Sequence, residues 1–195
     1  MINLPLYNGH VTPEQIVCIA QDIKKGDRES FSPIVEEYQG FVYNFALRLV
    51  RGDRERAYDL ASEVFLRAFA NLSKYSPDYP FKSWLGRVTY TTGLNYLRKK
   101  KETIHIESLA EDVPFQVPDD SPNPEEIVVN AQIKEAIEKA IVLLKPDFRA
   151  IITLCDIQNV SYEDASKILG IPTGTVRSRL SRAREALKSK INGTI

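Results

Sequence analysis

Apolar residues recur at helical spacing along almost the whole chain. Over residues 29–50 and again over 54–72, apolar side chains return every three or four positions, as on one face of an amphipathic helix. The first helix is marked at both ends, because Thr12, Pro13 and Gln15 form a capping box with proline at the first helical position, and Gly26 ends it. No segment shows the sustained alternation of apolar and polar residues that is typical of a strand. The pattern therefore predicts an all-α protein.

The periodicity breaks in the middle of the chain. The stretch "ESLAEDVPFQVPDDSPNPEE" contains four prolines and many acids but little apolar repetition. Such a composition cannot build a core and is typical of a linker. We therefore predict two small helical domains, over residues 1–101 and 128–195, joined by an acidic linker over residues 102–127.

Charge is strongly segregated along the chain, although 26 basic and 26 acidic residues give a formal net charge of zero. Residues 79–101 hold six basic residues and no acid, whereas residues 102–126 hold eight acids and no lysine or arginine. From residue 167 to the end, there are seven basic residues and one acid. A basic, acidic, basic order indicates nucleic-acid contacts on either side of a linker.

The C-terminal domain ends in the pattern of a helix-turn-helix. Ser161 is a helix cap, Gly170 ends a short helix, and a longer basic helix begins at Pro172 or Thr173. This longer helix has an apolar stripe on one side. Its outer face and flanks carry short polar residues and arginines: Thr175, Arg177, Ser178, Arg179, Ser181, Arg182 and Arg184. Such a face is suited to entry into a DNA major groove. The alternative interpretation is a basic helix that faces only water.

The helix over residues 54–72 has an unusual solvent face. Asp59, Ser62 and Glu63 lie opposite its apolar stripe, together with Leu66. A single exposed leucine is common in proteins. Placed within an acidic face, however, it also suits a docking surface that combines apolar burial with charge complementarity.

The helix that starts at Phe81 carries a narrow polar stripe of Arg87, Thr91, Asn95 and Arg98, flanked by apolar residues. A mostly buried helix with one hydrogen-bonding stripe is suited to reading an unpaired base. The following residues, Lys99 and Lys100, would hold duplex phosphates.

These motifs together resemble the extracytoplasmic-function (ECF, group IV) sigma factors of bacterial RNA polymerase. The run "LLKPDFRAIITLCDIQNVSYEDASKILGIPTGTVRSRLSRAREAL" is similar to the family's promoter −35 domain. In the first domain, "DLASEVFLRAF" resembles the helix that binds core polymerase, and "FKSWLGRVTYTTGLNYLRKKK" resembles the helix that recognises the −10 element. Departures from the family pattern at predicted contact positions are Ser62 where glutamine is frequent, Thr91 where asparagine is common, and Asn95 where aspartate is common.

The resemblance implies a role for each surface. The acidic face with Leu66 would meet the clamp helices of the largest subunit of core RNA polymerase. The polar stripe would read and help to melt the −10 element of promoter DNA, the loop "KYSPDYP" would capture a flipped-out base, and the helix-turn-helix would read the −35 element. The resemblance further implies control by an anti-sigma factor.

Several classes of function are disfavoured. We find no Gly-rich phosphate loop, nucleophile–base constellation or His/Cys cluster, so we expect neither an enzyme nor a metal or cofactor site. No apolar run reaches the length of a membrane span, and "MINLPLYNGH" lacks a secretion signal, so a cytoplasmic protein without membrane insertion is expected. Cys18 and Cys155 are interpreted as buried, small apolar residues.

Two alternatives remain open at this level. The chain could be a transcriptional regulator that uses only the helix-turn-helix, with residues 1–101 as a sensory or dimerisation domain. It could also be an enzyme that acts on nucleic acid, although the residues for such chemistry are missing.

Overall fold

The computed structural model describes residues 10–103 and 135–192, with side chains described over 10–99 and 135–192. Within these ranges the chain is helical with short connections and contains no strand, which confirms the all-α prediction. Apart from its first two residues, the predicted linker lies outside the described residues. The helices are α1 (Pro13–Lys24), α2 (Ser32–Leu49), α3 (Arg54–Asn71), α4 (Phe81–Thr103), α5 (135–142), α6 (Pro146–Ile152), α7 (Tyr162–Leu169) and α8 (Thr173–Asn192).

The capping box that is predicted for the first helix is present in the structure. The Thr12 hydroxyl accepts from the Gln15 backbone N–H at 3.3 Å, and the Gln15 side chain accepts in return from the Thr12 N–H at 2.8 Å. Asp53 caps α3 by accepting from the Arg56 N–H at 3.0 Å. Helix α1 ends at Lys24, and Gly26 then adopts a positive φ of 100° that suits glycine.

Helix α2 begins later than its apolar pattern predicts. Residues Glu29–Phe31 form a 3₁₀ turn, and the α-helix starts at Ser32. Pro33 lies in the first turn of α2, where its missing N–H costs no hydrogen bond. Proline therefore sets the start of the α-helix.

The N-terminal domain packs α3 and α4 against α2. Phe45 of α2, Leu60 of α3 and Leu85 of α4 are fully buried in this core. Aromatic residues close one end of it, where Phe81 stacks on Trp84 with ring centroids 5.3 Å apart. Phe81 and Trp84 therefore serve the core.

The C-terminal domain is a helix-turn-helix supported by α6. Gly170 has a left-handed backbone with φ of 67°, and its N–H donates to the Ser166 carbonyl at 2.8 Å, so α7 ends there. Ala165 of α7 is fully buried where this helix packs on its neighbours. Helix α8 starts at Thr173 and packs on both α6 and α7. Residues Thr153–Ile157 extend α6 as a π-helical turn.

The two domains share one continuous apolar core, which the sequence pattern did not predict. Helix α4 packs along α7, and α2 packs against α6. Fully buried Ile151 and Ile168 of the C-terminal domain belong to the same cluster as Phe45 and Leu85. In this structure, therefore, the promoter-reading surfaces predicted on α4 and α8 lie on one compact body.

The cysteine prediction was wrong for Cys18. Ile16 and Ile19 face the core from α1, and Cys18 points away from it and is exposed. Cys155 is half-buried in the turn after α6, and burial raises the pKa of its thiol to about 11. No helix of the described residues is long and apolar enough to cross a membrane.

The cap of α7 supports a stability prediction. The Ser161 hydroxyl accepts from the Asp164 N–H at 3.0 Å. Ser161→Ala is expected to lower the free energy of unfolding by about 1 kcal/mol, because an orphan N–H at the helix start loses its partner. Urea denaturation measures this loss. Ser189→Ala on exposed α8 is the control and is expected to change stability by less than about 0.5 kcal/mol; equal effects of the two changes would contradict the capping role.

Candidate nucleic-acid and partner interfaces

Helix α8 presents the polar face that its sequence predicts. Val176, Leu180 and Ala183 are buried against the rest of the domain. On the opposite side, Ser178, Ser181 and Arg182 are exposed, with Arg177 beside them, and Thr175 is half-buried. The N-terminal half of this face carries short side chains, so the helix backbone could lie deep in a groove.

Acidic residues from the same domain hold two of the flanking arginines. Arg184 donates to both carboxylate oxygens of Asp156, from Nε at 3.0 Å and Nη2 at 2.6 Å. Arg179 Nη1 lies 3.4 Å from Asp147 Oδ2. These partners are 28 and 32 positions away along the chain, so helical periodicity gave no signal for them. Arg184 and Arg179 are thus fixed at the edges of the reading face.

The polar stripe of α4 lies partly against the C-terminal domain. The Arg87 guanidinium donates to the Ile168 carbonyl of α7 at 3.1 Å. The Thr91 hydroxyl donates to the Arg87 carbonyl at 2.9 Å, within α4 itself. Further along α4, Asn95, Arg98 and Lys99 are exposed, and the Lys100 side chain lies outside the described residues.

A tyrosine of α4 connects the two predicted DNA-reading helices. Tyr90 is only 6% exposed, and its hydroxyl lies 3.3 Å from Asp147 Oδ1. Burial, followed by the neighbouring Asp147 carboxylate, raises the pKa of Tyr90 to about 12. Because Asp147 also pairs with Arg179, α4 and α8 meet through this single carboxylate.

The loop before α4 is held by its own side chains. The Tyr75 hydroxyl donates to the Tyr79 carbonyl at 2.8 Å, and the Ser76 hydroxyl donates to Asp78 at 2.7 Å. The Tyr79 ring is 56% exposed, and Lys167 Nζ of α7 lies 5.7 Å from its centroid. The loop is therefore ordered and offers one aromatic ring to the surface.

The acidic face of α3 is open to solvent. Leu66 is 70% exposed, and Asp59 and Ser62 are exposed beside it. Glu63 is half-buried and accepts from Arg67 at 2.6 Å. The structure thus places all four predicted residues on one accessible surface, with apolar area beside carboxylates.

The sequence interpretation missed one aromatic residue on this surface. Tyr58 is 64% exposed and packs its ring on Tyr43 of α2, with centroids 4.8 Å apart. Its spacing of four positions from Ser62 and eight from Leu66 could have indicated the shared face. We call the surface formed by Tyr58, Asp59, Ser62, Glu63 and Leu66 the α3 face.

No group of three or more His, Cys, Asp or Glu side chains that could hold a metal ion occurs among the described residues. The chemistry of these surfaces is that of hydrogen bonds, ion pairs and apolar contact.

A helix-turn-helix with an exposed basic face is the architecture of a DNA-binding protein. The sequence matches the family of Sigma-70 region 2 over residues 34–103 and that of Sigma-70 region 4 over residues 134–187. It is 31% identical to the ECF RNA polymerase sigma factor SigW of Bacillus subtilis over 176 residues, which is 88% of this chain and 94% of SigW. It is 30% identical to the ECF RNA polymerase sigma-E factor of Escherichia coli over 186 residues, or 91% of this chain and 94% of that protein. The chain belongs to the ECF sigma factor family.

Other relatives agree with this assignment. The ECF RNA polymerase sigma factor SigE of Mycolicibacterium smegmatis is 38% identical over 159 residues, which span 82% of this chain and 60% of that protein. Among solved structures, the sigma factor RpoE of Bartonella quintana, crystallised with the anti-sigma factor NepR, matches with a TM-score of 0.65 and 25% identity over 84% of this chain and 98% of RpoE. CnrH, solved with the cytosolic domain of CnrY, has the same fold, with a TM-score of 0.60 and 20% identity over 92% of this chain and 98% of CnrH.

Proposed function

We propose that this chain is an alternative sigma factor that binds core RNA polymerase and directs it to promoters with separate −10 and −35 elements. One observation carries the proposal: a single chain bears the exposed α3 face, the polar stripe of α4 and the outer face of α8, in the order of Sigma-70 regions 2 and 4. A regulator that uses only its helix-turn-helix has no need of the first two surfaces.

Each surface has a proposed role. The α3 face docks on the clamp helices of the largest polymerase subunit, with Leu66 buried in the contact and Asp59 and Glu63 facing basic groups. The stripe of Arg87, Thr91, Asn95 and Arg98 reads the −10 strand, while Lys99 and Lys100 hold phosphates. Extruding a base from the stack costs a few kcal/mol, and this cost is offset by such contacts.

On α8, base reading is divided from phosphate binding. Ser178, Ser181 and Arg182 are exposed on the outer face and would contact base edges of the −35 element. Arg177, Arg179 and Arg184 lie towards the flanks and would position the helix on the backbone, and Thr175 lies on the outer face at the start of the helix.

Control by an anti-sigma factor is part of the proposal. It is supported by RpoE of Bartonella quintana, whose structure was solved with the anti-sigma factor NepR. We further propose that the chain works without a cofactor and without enzymatic activity of its own, in the cytoplasm, where it meets polymerase and promoter DNA.

Reconstitution with core polymerase tests this function. The purified chain is expected to co-elute with core RNA polymerase in gel filtration and to start transcription at discrete sites on fragments of its own genome. Core enzyme alone is the control and is expected to give no such starts. Failure to co-elute would overturn the proposal, and duplex binding without polymerase would favour the regulator.

The division of roles on α8 gives a further prediction. Arg182→Ala is expected to weaken use of an identified promoter about 5- to 150-fold, equivalent to about 1–3 kcal/mol, and to relax the preference for one base pair of the −35 element. Arg177→Ala is the matched control and is expected to weaken all sequences about equally and to reduce the salt dependence of binding. Transcription from promoters with single −35 substitutions measures both effects, and an unchanged preference after Arg182→Ala would contradict base reading.

A further inference from the structure

An acidic residue outside α8 orients one of the arginines on the flank of that helix. Asp156 lies in the π-helical turn after α6, and both of its carboxylate oxygens accept from Arg184, at 3.0 Å from Nε and 2.6 Å from Nη2. Two charge-assisted bonds fix the plane of a guanidinium as well as its position. Through these bonds and through its charge, Asp156 raises the pKa of Arg184.

The backbone that carries Asp156 is itself held in place. The Gln158 N–H donates to the Thr153 carbonyl at 2.9 Å, and the Val160 N–H donates to the Leu154 carbonyl at 2.8 Å. Thr153 and Leu154 are fully buried, so the turn is attached to the core. Turns of the π type occur frequently at functional sites. The Asp156 carboxylate therefore reaches α8 from a fixed backbone.

A tyrosine beside this ion pair contacts a second arginine of α8. Tyr162 is the first residue of α7 and is half-buried. The guanidinium carbon of Arg177 lies 6.0 Å from the centroid of its ring, at the distance of a cation–π contact. The Tyr162 side chain also contributes to the raised pKa of Arg184. Arg177 and Arg184 are seven positions apart, so they lie on the same side of α8.

These contacts add little to the stability of the fold. The side chains of Arg184 and Asp156 are 55% and 29% exposed, and ion pairs that are open to water contribute little to folding. An arginine that is already ordered, however, loses less conformational freedom when it binds a phosphate. Arginine has five N–H donors, so the groups that do not face Asp156 remain available to a phosphate oxygen.

We propose that Asp156 and Tyr162 are positioning residues, which hold Arg184 and Arg177 in the geometry that binds the phosphates of the −35 duplex. This inference rests on the proposed function. It adds two residues that act on DNA through the arginines of α8, without a contact of their own to the DNA.

The variant Asp156→Asn separates positioning from simple charge. It removes a negative charge beside a DNA-binding helix, and this change alone would strengthen binding. Loss of the bidentate contact is expected to have the opposite effect. The affinity of the chain with core polymerase for a promoter fragment identified by reconstitution is expected to fall about 3- to 10-fold, the range for ordering one long side chain. Filter binding at several salt concentrations measures this change.

A neighbouring acid provides the matched control. Glu163 follows Tyr162 on α7 and is exposed. Glu163→Gln removes the same charge from the same domain and is expected not to lower the affinity. The salt dependence gives a second readout, because the loss of one phosphate contact lowers its slope by about 1. We expect this decrease for Asp156→Asn and not for Glu163→Gln.

Combined variants show which arginine each residue acts through. In an Arg184→Ala background, Asp156→Asn is expected to cause no further loss of affinity, since its partner is already absent. Tyr162→Leu keeps an apolar side chain but removes the ring, and is expected to weaken binding about 2- to 5-fold. This loss is expected to shrink in an Arg177→Ala background. Circular dichroism confirms that each variant is folded.

Nuclear magnetic resonance of the free chain tests the arrangement without polymerase. The Nε–H signal of Arg184 is assigned by its disappearance in Arg184→Ala. In the wild-type chain this proton is expected to exchange slowly with water, because it is donated to Asp156. Fast exchange is expected in Asp156→Asn, and no change is expected in Glu163→Gln.

The outcomes separate this inference from the proposed function. Unchanged or stronger promoter binding by folded Asp156→Asn would overturn positioning, as would an equal further loss in the Arg184→Ala background. Fast exchange of the Arg184 signal in the wild-type chain would show that the arginine is not held. If the wild-type chain and core polymerase select no promoter fragment, the proposed function fails, and positioning on the −35 duplex fails with it even when the signal exchanges slowly.

Discussion

Leu66→Asp is expected to abolish binding to core RNA polymerase and to leave the fold intact. Leu66 is 70% exposed at the C-terminal end of the α3 face, so a carboxylate there costs the isolated chain little. In a complex the same carboxylate would be buried beside Asp59 and Glu63, without a partner and next to like charges. We expect at least a ~100-fold loss of affinity, as for truncation of a hot-spot residue in an interface. Gel filtration with core enzyme measures binding, and circular dichroism and thermal unfolding report on the fold.

A matched exposed leucine controls for general effects of the new charge. Leu143 is 62% exposed in the other domain, between α5 and α6. Leu143→Asp is expected to keep full binding to core enzyme. If Leu66→Asp unfolds the chain, Leu66 belongs to the core; if the variant folds and binds core enzyme normally, the α3 face is not the docking surface.

Arg149→Ala is expected to lower the free energy of unfolding by about 3–5 kcal/mol, the largest stability effect we predict. Arg149 is 1% exposed and donates to three backbone carbonyls: those of Val142 at 2.9 Å, Leu144 at 2.8 Å and Leu49 at 3.2 Å. Burial lowers the pKa of Arg149 to about 10, so its guanidinium is still charged at neutral pH. Its removal would leave a cavity. It would also leave the carbonyl groups of Val142, Leu144 and Leu49 without their donor.

Two further variants show whether the guanidinium geometry matters. Arg149→Lys is expected to recover only part of the stability, because an ammonium group cannot span three carbonyls as a planar guanidinium does. Lys145→Ala, at an exposed position just before α6, is expected to change stability by less than about 0.5 kcal/mol. Urea unfolding measures all three changes, and a loss below about 1 kcal/mol for Arg149→Ala would contradict its role.

Local features of the fold were predictable from the sequence. The caps at Thr12, Asp53 and Ser161 depend on residues three positions apart, so they form wherever the local sequence allows. The buried stripe and the exposed face of α8 follow from helical geometry in the same way. The exposure of Leu66 was also predictable, because it lies opposite the apolar stripe of α3.

Contacts between distant parts of the chain were not predictable from these patterns. Asp156 and Asp147 determine where Arg184 and Arg179 are held, although no periodicity links them to α8. Cys18 was assigned to the core from its residue type, but its position on α1 places it in solvent. For the two arginines, the outcome depends on which elements pack together.

Local sequence alone specifies that this protein is helical, where its caps lie, and which faces of α3, α4 and α8 carry polar residues. It also shows which family motifs occur and in which order. All of these depend on residues within a few turns of one another. That the two domains share a core follows from the long-range packing of their helices. Arg48 meets Glu138 across 90 positions, and Arg149 meets the end of α2 across 100. Such pairs form because apolar burial brings distant helices together, and charges inside the resulting interface then require partners.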